Sequence, residues 1–224
     1  MRLTIFFLLC LTLLPRTATA QRICIDPGHG RKTVGTTGKH TTEYKICWEI
    51  GQQLKQALEK QGMEVILTKE RVEQDVPNSE RAEIANRAHV DLMVRLHCDA
   101  DNDHGIATYY PAKQGTIRGK RGPDEAVIEA SRVFATRFHT ALIKSLEGAL
   151  KNRKLRTDSQ TAVGRKLGGA LEGSIYAKIP VLLVEMCVLR NAKDEAFITS
   201  KEGQKRLVRA LAAGVKAGVA PSEY

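Results

Sequence analysis

The sequence predicts one α/β domain: a central, mostly parallel (mixed) sheet flanked by helices. Three observations carry that prediction. Short β-rich runs alternate with longer segments of helical period. The run Val181-Leu182-Leu183-Val184 is apolar without a break, as a strand covered on both faces requires. The polar residues suited to chemistry sit where such runs end, which is where open α/β sheets place their ligands. With 224 residues, of which 42% are hydrophobic and 5% aromatic, the chain has material for one core and does not have the make-up of collagen, a coiled coil or a wholly disordered protein.

Along the chain, Arg2 forms a short basic head, the stretch from Leu3 to Leu14 is largely apolar, and Ala18-Thr19-Ala20 supplies the small residues of a cleavage site. Residues 1–20 therefore read as a secretory signal peptide, since the apolar run is too short to span a bilayer. Cys10 follows bulky Leu9 and does not read as a lipid-attachment site. The domain is expected to occupy residues 21–224. Arg2 and Arg16 leave with the signal peptide, which takes the net charge from +10 to +8. No later stretch approaches eighteen apolar residues, so no stable membrane insertion is expected. The protein is expected to be exported, to the periplasm, the cell envelope or outside the cell, and to be a monomer.

The first strand is Arg22 to Asp26, stopped by Pro27-Gly28. Ile46, Ile50, Leu54 and Leu58 recur on one face of a helix from Glu43 to Gln61, capped by Thr41 or Thr42 and stopped by Gly62. Strands follow at Met63 to Thr68, Asp91 to Leu96 and Ile106 to Tyr110. A helix between the first two spans Asn78 to Ala88, with Ala82, Ala85 and Ala88 on a narrow face. A long helix is predicted from Asp124 to Leu150, a buried strand from Val181 to Glu185 and a final helix from Gly203 to Val219. Asn191 with Asp194 three positions on starts a short helix. The Lys-, Arg- and Gly-rich stretch from Lys151 to Lys178 reads as a long loop or a mobile wall of a groove.

The chemistry concentrates in four residues. His29 lies in Asp26-Pro27-Gly28-His29-Gly30, where the glycines permit a sharp turn that projects the imidazole. Glu43 begins the first long helix, His97 ends the third strand, and Glu185 ends the buried one. Singly, each has a simpler role: a turn histidine, an acid favoured by a helix dipole, a histidine at a sheet rim. Glu185 fits such a role least well, because an acid closing an apolar strand needs a partner or an altered pKa. Together, two histidines and a carboxylate make a catalytic zinc set with a position left for water, and a further carboxylate beside the metal can carry a proton. Arg81 and Asn86 read as supporting residues, Asn86 through a bond to a loop carbonyl. Asp26 reads either as a partner for a ligating imidazole or as an ordinary strand-end acid. His40, His89, His104 and His139 read as surface or core residues.

The excess positive charge favours anionic surroundings, with wall polymers and lipid head groups the partners open to an exported protein. Nucleic acid is not expected, because stacking aromatics are scarce. Cys24, Cys47, Cys98 and Cys187 allow three full disulfide pairings, and buried free thiols fit equally well.

At these residues the chain resembles the zinc-dependent N-acetylmuramoyl-L-alanine amidases, which cut bacterial peptidoglycan. The blocks that carry the resemblance are Ile25-Asp26-Pro27-Gly28-His29-Gly30, Thr42-Glu43-Tyr44, Glu80 to Asn86, Leu96-His97-Cys98-Asp99-Ala100, Gly105 to Pro111, Pro180 to Glu185 and Leu189-Arg190-Asn191. The resemblance implies zinc (Zn2+) bound by His29, Glu43 and His97, with Glu185 as the catalytic acid/base on a muramyl-peptide substrate. The sequence departs from the family at Cys98-Asp99, where Ala-Asn is common, and at Met186-Cys187, where Gly-Phe is usual. These departures are expected to bear on the metal and on the pocket wall respectively. Some relatives carry an inhibitory helix over the zinc. The short segment from Tyr110 to Asp124 implies none here. Rival readings are a zinc peptidase or amidase acting on another amide, and a non-catalytic wall-binding protein of the same fold.

Overall fold

The computed structural model describes residues 20–221. The signal-peptide reading falls, but for Ala20, outside the described residues. The chain enters the sheet as β1 (Arg22–Pro27), leaves through α1 (Glu43–Glu59), returns as β2 (Glu64–Leu67), and crosses by α2 (Asn78–Arg87) to β3 (Leu92–Asp99). Then come β4 (Ile106–Tyr110), a hairpin of β5 (Gly115–Ile117) and β6 (Lys120–Gly122), α3 (Glu125–Leu146) and β7 (Asn152–Thr157). Two short helices, α4 (Ala162–Lys166) and α5 (Glu172–Tyr176), precede β8 (Val181–Val188), and α6 (Ala192–Thr199) and α7 (Lys201–Gly218) close the described chain.

Six of these strands form one mixed sheet in the order β2-β1-β3-β8-β4-β7. β1, β2, β3 and β8 run parallel, while β4 is antiparallel to β8 and parallel to β7. This is the predicted fold class. The apolar face of α1 is buried as its spacing required: Ile46, Ile50, Leu54 and Leu58 are all at 1% exposure or less, each worth about 1.5–3 kcal/mol. α7 packs against α1 and α3, and α2 packs against α5. The main core includes Ile23, Val94, Phe138, Leu182 and Leu211. A smaller cluster joins Cys24, Ala85, Met93 and Val181.

Several boundaries differ from the sequence expectation. α3 stops at Leu146, because Glu147 (φ 48°) and Gly148 (φ 80°) turn into the left-handed region. β3 and β8 run on to Asp99 and Val188, so His97 and Glu185 lie within strands and not at their ends. The apolar Met186-Cys187-Val188 continues the buried run that Glu185 interrupts. The stretch from Lys151 to Lys178 is no plain loop: it holds β7, a 3-10 turn, α4 and α5. β7 (NRKLRT) has no apolar period because it is an edge strand, paired among the described residues only with β4, and such edges are commonly charged. The segment from Tyr110 to Asp124 holds the β5–β6 hairpin.

Candidate functional site

From β1 the chain goes outward to β2 and comes back to β3, so the strand order reverses between β1 and β3, the position at which an open sheet leaves a crevice. The turn after β1 delivers His29. Contrary to the expectation, it is His29 itself (φ 63°) and not its flanking glycines that takes the left-handed conformation. Such a backbone is costly outside glycine and needs surrounding support. Arg81 on α2 supplies it, donating to the carbonyls of Pro27 at 2.7 Å and His29 at 3.0 Å, and Lys69 donates to His29 at 3.0 Å. Burial lowers the Lys69 pKa to about 8, and the nearby Arg81 charge adds to the shift. Gly28 is needed for a different reason: a Cβ there would stand 2.6 Å from the His97 ring.

Glu43 is where the site converges. One oxygen, Oε1, lies 3.1 Å from His29 Nε2 and 2.9 Å from His97 Nδ1, and accepts the backbone N–H of Cys98 at 3.0 Å. The other, Oε2, accepts the backbone N–H of Thr36 at 2.7 Å. Thr42 sits at the N-cap of α1 without a side-chain cap bond, so Glu43 is turned to the imidazoles rather than serving merely as a helix-end acid. Burial favours the neutral acid, but the adjoining imidazoles of His29 and His97 outweigh it and hold Glu43 well below the usual carboxylate range. Burial lowers the His97 pKa, and Glu43 offsets part of that shift.

The donor set fits a cation. His29 Nδ1 is 3.0 Å from the Thr33 carbonyl, which can accept only from a protonated nitrogen. Neutral His29 then turns an Nε2 lone pair toward the carboxylate, an arrangement that a positive charge between the two resolves. Ligands about 2.0–2.2 Å from a tetrahedral zinc ion lie roughly 3.3 Å from one another, close to the separations here. The ligand atoms of His29, Glu43 and His97 all lie within 4.8 Å of one another, so the three side chains predicted from the sequence can hold a metal ion.

Glu185 is the register partner of His97 on β8, which sets the two side chains next to each other on one face of the sheet. His29, His97 and Glu185 share a groove of about 310 Å³. Burial raises the Glu185 pKa well above the ordinary value, with help from the charges of Glu43 and Asp99 and partial relief from Arg153. Its Oε2 is buried without a hydrogen-bond partner among the described residues, as is His97 Nε2. Thr161, Ala162, Val163, Leu171 and Glu172 form part of the groove wall, so the 151–178 stretch does border the site, but with neutral and acidic side chains rather than basic ones.

Asp26 bonds no imidazole. Buried completely, it accepts from Arg81 at 2.6 Å, Arg95 at 2.7 Å and Thr68 at 2.5 Å. Burial alone would raise its pKa, but the two guanidinium charges and the hydroxyl bring it far down. Asn86 does bond a loop: it donates to the Tyr176 carbonyl and accepts from the Lys178 N–H. Of the other histidines, His139 is buried between Thr108 and Asn152, and His40, His89 and His104 are exposed. The expectations for the departing residues change. Cys98 offers the site its backbone N–H, while its thiol lies in the core against Cys187, and Met186 is buried there as well. Asp99 pairs with Arg153 at 3.0 Å. The sequence reading overlooked Arg95 and Arg153. A charged residue inside the apolar run Leu92-Met93-Val94-Arg95-Leu96 was a legible signal of a buried ion pair, whereas nothing in the charged β7 distinguishes Arg153.

The sequence pattern of the family described as N-acetylmuramoyl-L-alanine amidase matches residues 23–217. The chain is 24% identical over 217 residues to the N-acetylmuramoyl-L-alanine amidase AmiC of Escherichia coli O6:H1, covering 87% of this chain and 52% of AmiC, so it spans about half the length of that relative. An N-acetylmuramoyl-L-alanine amidase of Mycobacterium tuberculosis is 25% identical over 224 residues, covering 90% of this chain and 87% of the relative. Among solved structures, the catalytic domain of CwlV from Paenibacillus polymyxa var. colistinus has the same fold, with a TM-score of 0.69 at 22% identity over 88% of this chain and 96% of that one.

Proposed function

This chain belongs to the N-acetylmuramoyl-L-alanine amidase family, and we propose that it is a zinc-dependent hydrolase that cuts peptidoglycan at the amide between the lactyl group of N-acetylmuramic acid and L-alanine. The observation that carries the reading is the approach of two imidazole nitrogens, 3.1 and 2.9 Å away, to one buried carboxylate oxygen of Glu43, the two imidazoles lining a groove with Glu185. His29, Glu43 and His97 would hold the ion. Bound zinc supplies Lewis acidity, lowering the pKa of a water to roughly 7 and polarising a carbonyl.

The rest of the work falls to protein side chains. Glu185 takes the proton of the attacking water and passes it to the departing L-alanine nitrogen, which is a poor leaving group until protonated. The raised pKa of Glu185 and its unpartnered Oε2 support that role, since an acid that holds its proton can deliver it. Arg81 and Lys69 keep His29 on target through its carbonyl. Val163, 54% exposed at the wall of the groove, offers apolar surface to a peptide. The reading places residues 1–20 as the export signal and the site of action in the periplasm, the envelope or the medium.

The test is digestion of purified sacculi with and without a chelator. Stem peptides beginning with free L-alanine, released only when the metal is present, are the expected result. Peptides with another amino terminus would overturn the substrate, and release unaffected by chelation would overturn the metal. Zinc content of His29→Ala, expected to fall to background, checks the ligand set separately.

A further inference from the structure

Behind the groove, on the core side of the sheet, three thiols meet that the proposed reaction does not use. Cys98 Sγ and Cys187 Sγ are 3.7 Å apart, buried to 2% and 0% exposure. Cys47 on α1 belongs to the same core cluster as Cys98 and Cys187. Each lies close in sequence to a residue of the site: Cys47 one helical turn after Glu43, Cys98 next to His97, and Cys187 two residues after Glu185.

Strand alternation alone would not bring Cys98 and Cys187 together. Cys187 has the same parity as Glu185 and would face the groove, whereas Cys98 has the opposite parity to His97 and faces the core. The register supplies the difference. His97 pairs with Glu185, but Asp99 pairs with Val188, so two steps on β3 match three on β8. The extra residue is a bulge, which turns the following side chain to the other face. Cys187 is thereby delivered to the core cluster that already contains Cys98.

We propose that Cys98 and Cys187 are a disulfide site, a covalent tie between the strand that carries His97 and the strand that carries Glu185. Neighbouring strands lie about 4.7–4.9 Å apart, within the Cα separations that disulfides span, roughly 4.4–6.8 Å. The sulfurs have to approach from 3.7 Å to a bond length of about 2.0 Å, a distance that side-chain rotation covers. Cys47 is a poorer partner, because a helix packed on a sheet holds its Cα farther from the strand than a neighbouring strand does. Cys24 belongs to the other cluster. The reaction is thiol–disulfide exchange with an external disulfide: the two thiols lose two protons and two electrons and form one S–S bond, while the oxidant's S–S bond breaks to give two thiols. Burial shields both sulfurs in the finished fold, so exchange occurs while the chain folds. The bridge closes a loop between residues 89 positions apart, and stabilisation by this kind of constraint grows with loop length.

The experiment is to refold the chain from denaturant in a glutathione/glutathione-disulfide buffer, alkylate it unfolded without reductant, and map the peptides by mass spectrometry. The expected product links the Cys98 and Cys187 peptides and leaves Cys24 and Cys47 alkylated. Refolded instead with dithiothreitol present throughout, the wild-type chain should melt roughly 5–15 °C below this product, while Cys187→Ala should melt alike under both conditions. Alkylation of all of Cys24, Cys47, Cys98 and Cys187, a bridge through Cys47 or Cys24, or equal melting temperatures for wild type refolded with and without reductant would each overturn the proposal. None of these readouts involves metal or turnover, so the outcome is separate from that of the hydrolase reading.

Discussion

Replacing Gly28 by alanine tests whether the turn after β1 and the imidazole of β3 are fitted to each other. The added methyl would stand 2.6 Å from His97 Cε1 and 2.8 Å from each ring nitrogen. Ordinary contact begins near 3.4 Å, so something must move by about 1 Å. The ring is poorly placed to yield: its Nδ1 is tied to Glu43, which is itself held by the N–H groups of Thr36 and Cys98. The Gly28 backbone is tied as well, its N–H donating to the Leu96 carbonyl at 2.9 Å. Misplacement of a catalytic group by 1 Å costs about 100-fold in rate, and overpacking a filled site costs about 1–3 kcal/mol of stability. Gly28→Ala should therefore lose about two orders of magnitude in release of L-alanine termini from sacculi. It should also bind zinc more weakly in competition with a chromophoric chelator, while melting as a cooperative fold. Wild-type turnover and zinc affinity in this variant would refute the claim that the close approach of Gly28 sets the position of His97.

Glu185→Gln should retain zinc and lose about 10²- to 10⁴-fold in turnover, the usual share of a general acid/base; a zinc-loaded variant at wild-type rate would remove Glu185 from the mechanism. Asp26→Asn leaves Arg81 and Arg95 facing each other without their shared anion and should cost about 3–5 kcal/mol in urea unfolding. Because folding depresses the Asp26 pKa from its ordinary 3.8, its contribution is complete above that value and is lost as pH falls below it toward the folded one. Denaturation curves at pH 3 and pH 6 should accordingly differ less for Asp26→Asn than for wild type, and an equal difference would refute the linkage. Asn191 accepts from the N–H groups of Lys193 and Asp194 at the start of α6, so Asn191→Ala should cost about 1 kcal/mol, read as a lower urea midpoint with an unchanged slope.

Periodicity and composition, both local properties, were enough to determine the α/β class, the long helices α1, α3 and α7 and the parallel strands, and to single out the four candidate side chains. An apolar stripe repeats every three or four residues whatever it packs against, and a histidine or glutamate beside an apolar run is visible without knowing its neighbours. Tertiary structure decided what depends on partners far away in the chain. β7 is a strand only because β4 offers it an edge, which is why its charged residues carried no signal. Asp26 became an anion shared by two arginines, and not a brace for an imidazole, because α2 and β3 bring Arg81 and Arg95 to it from 55 and 69 residues away. Cys187 faces Cys98 because one extra residue in β8 reverses the alternation, and register between strands is a property of the pair that neither sequence segment contains alone.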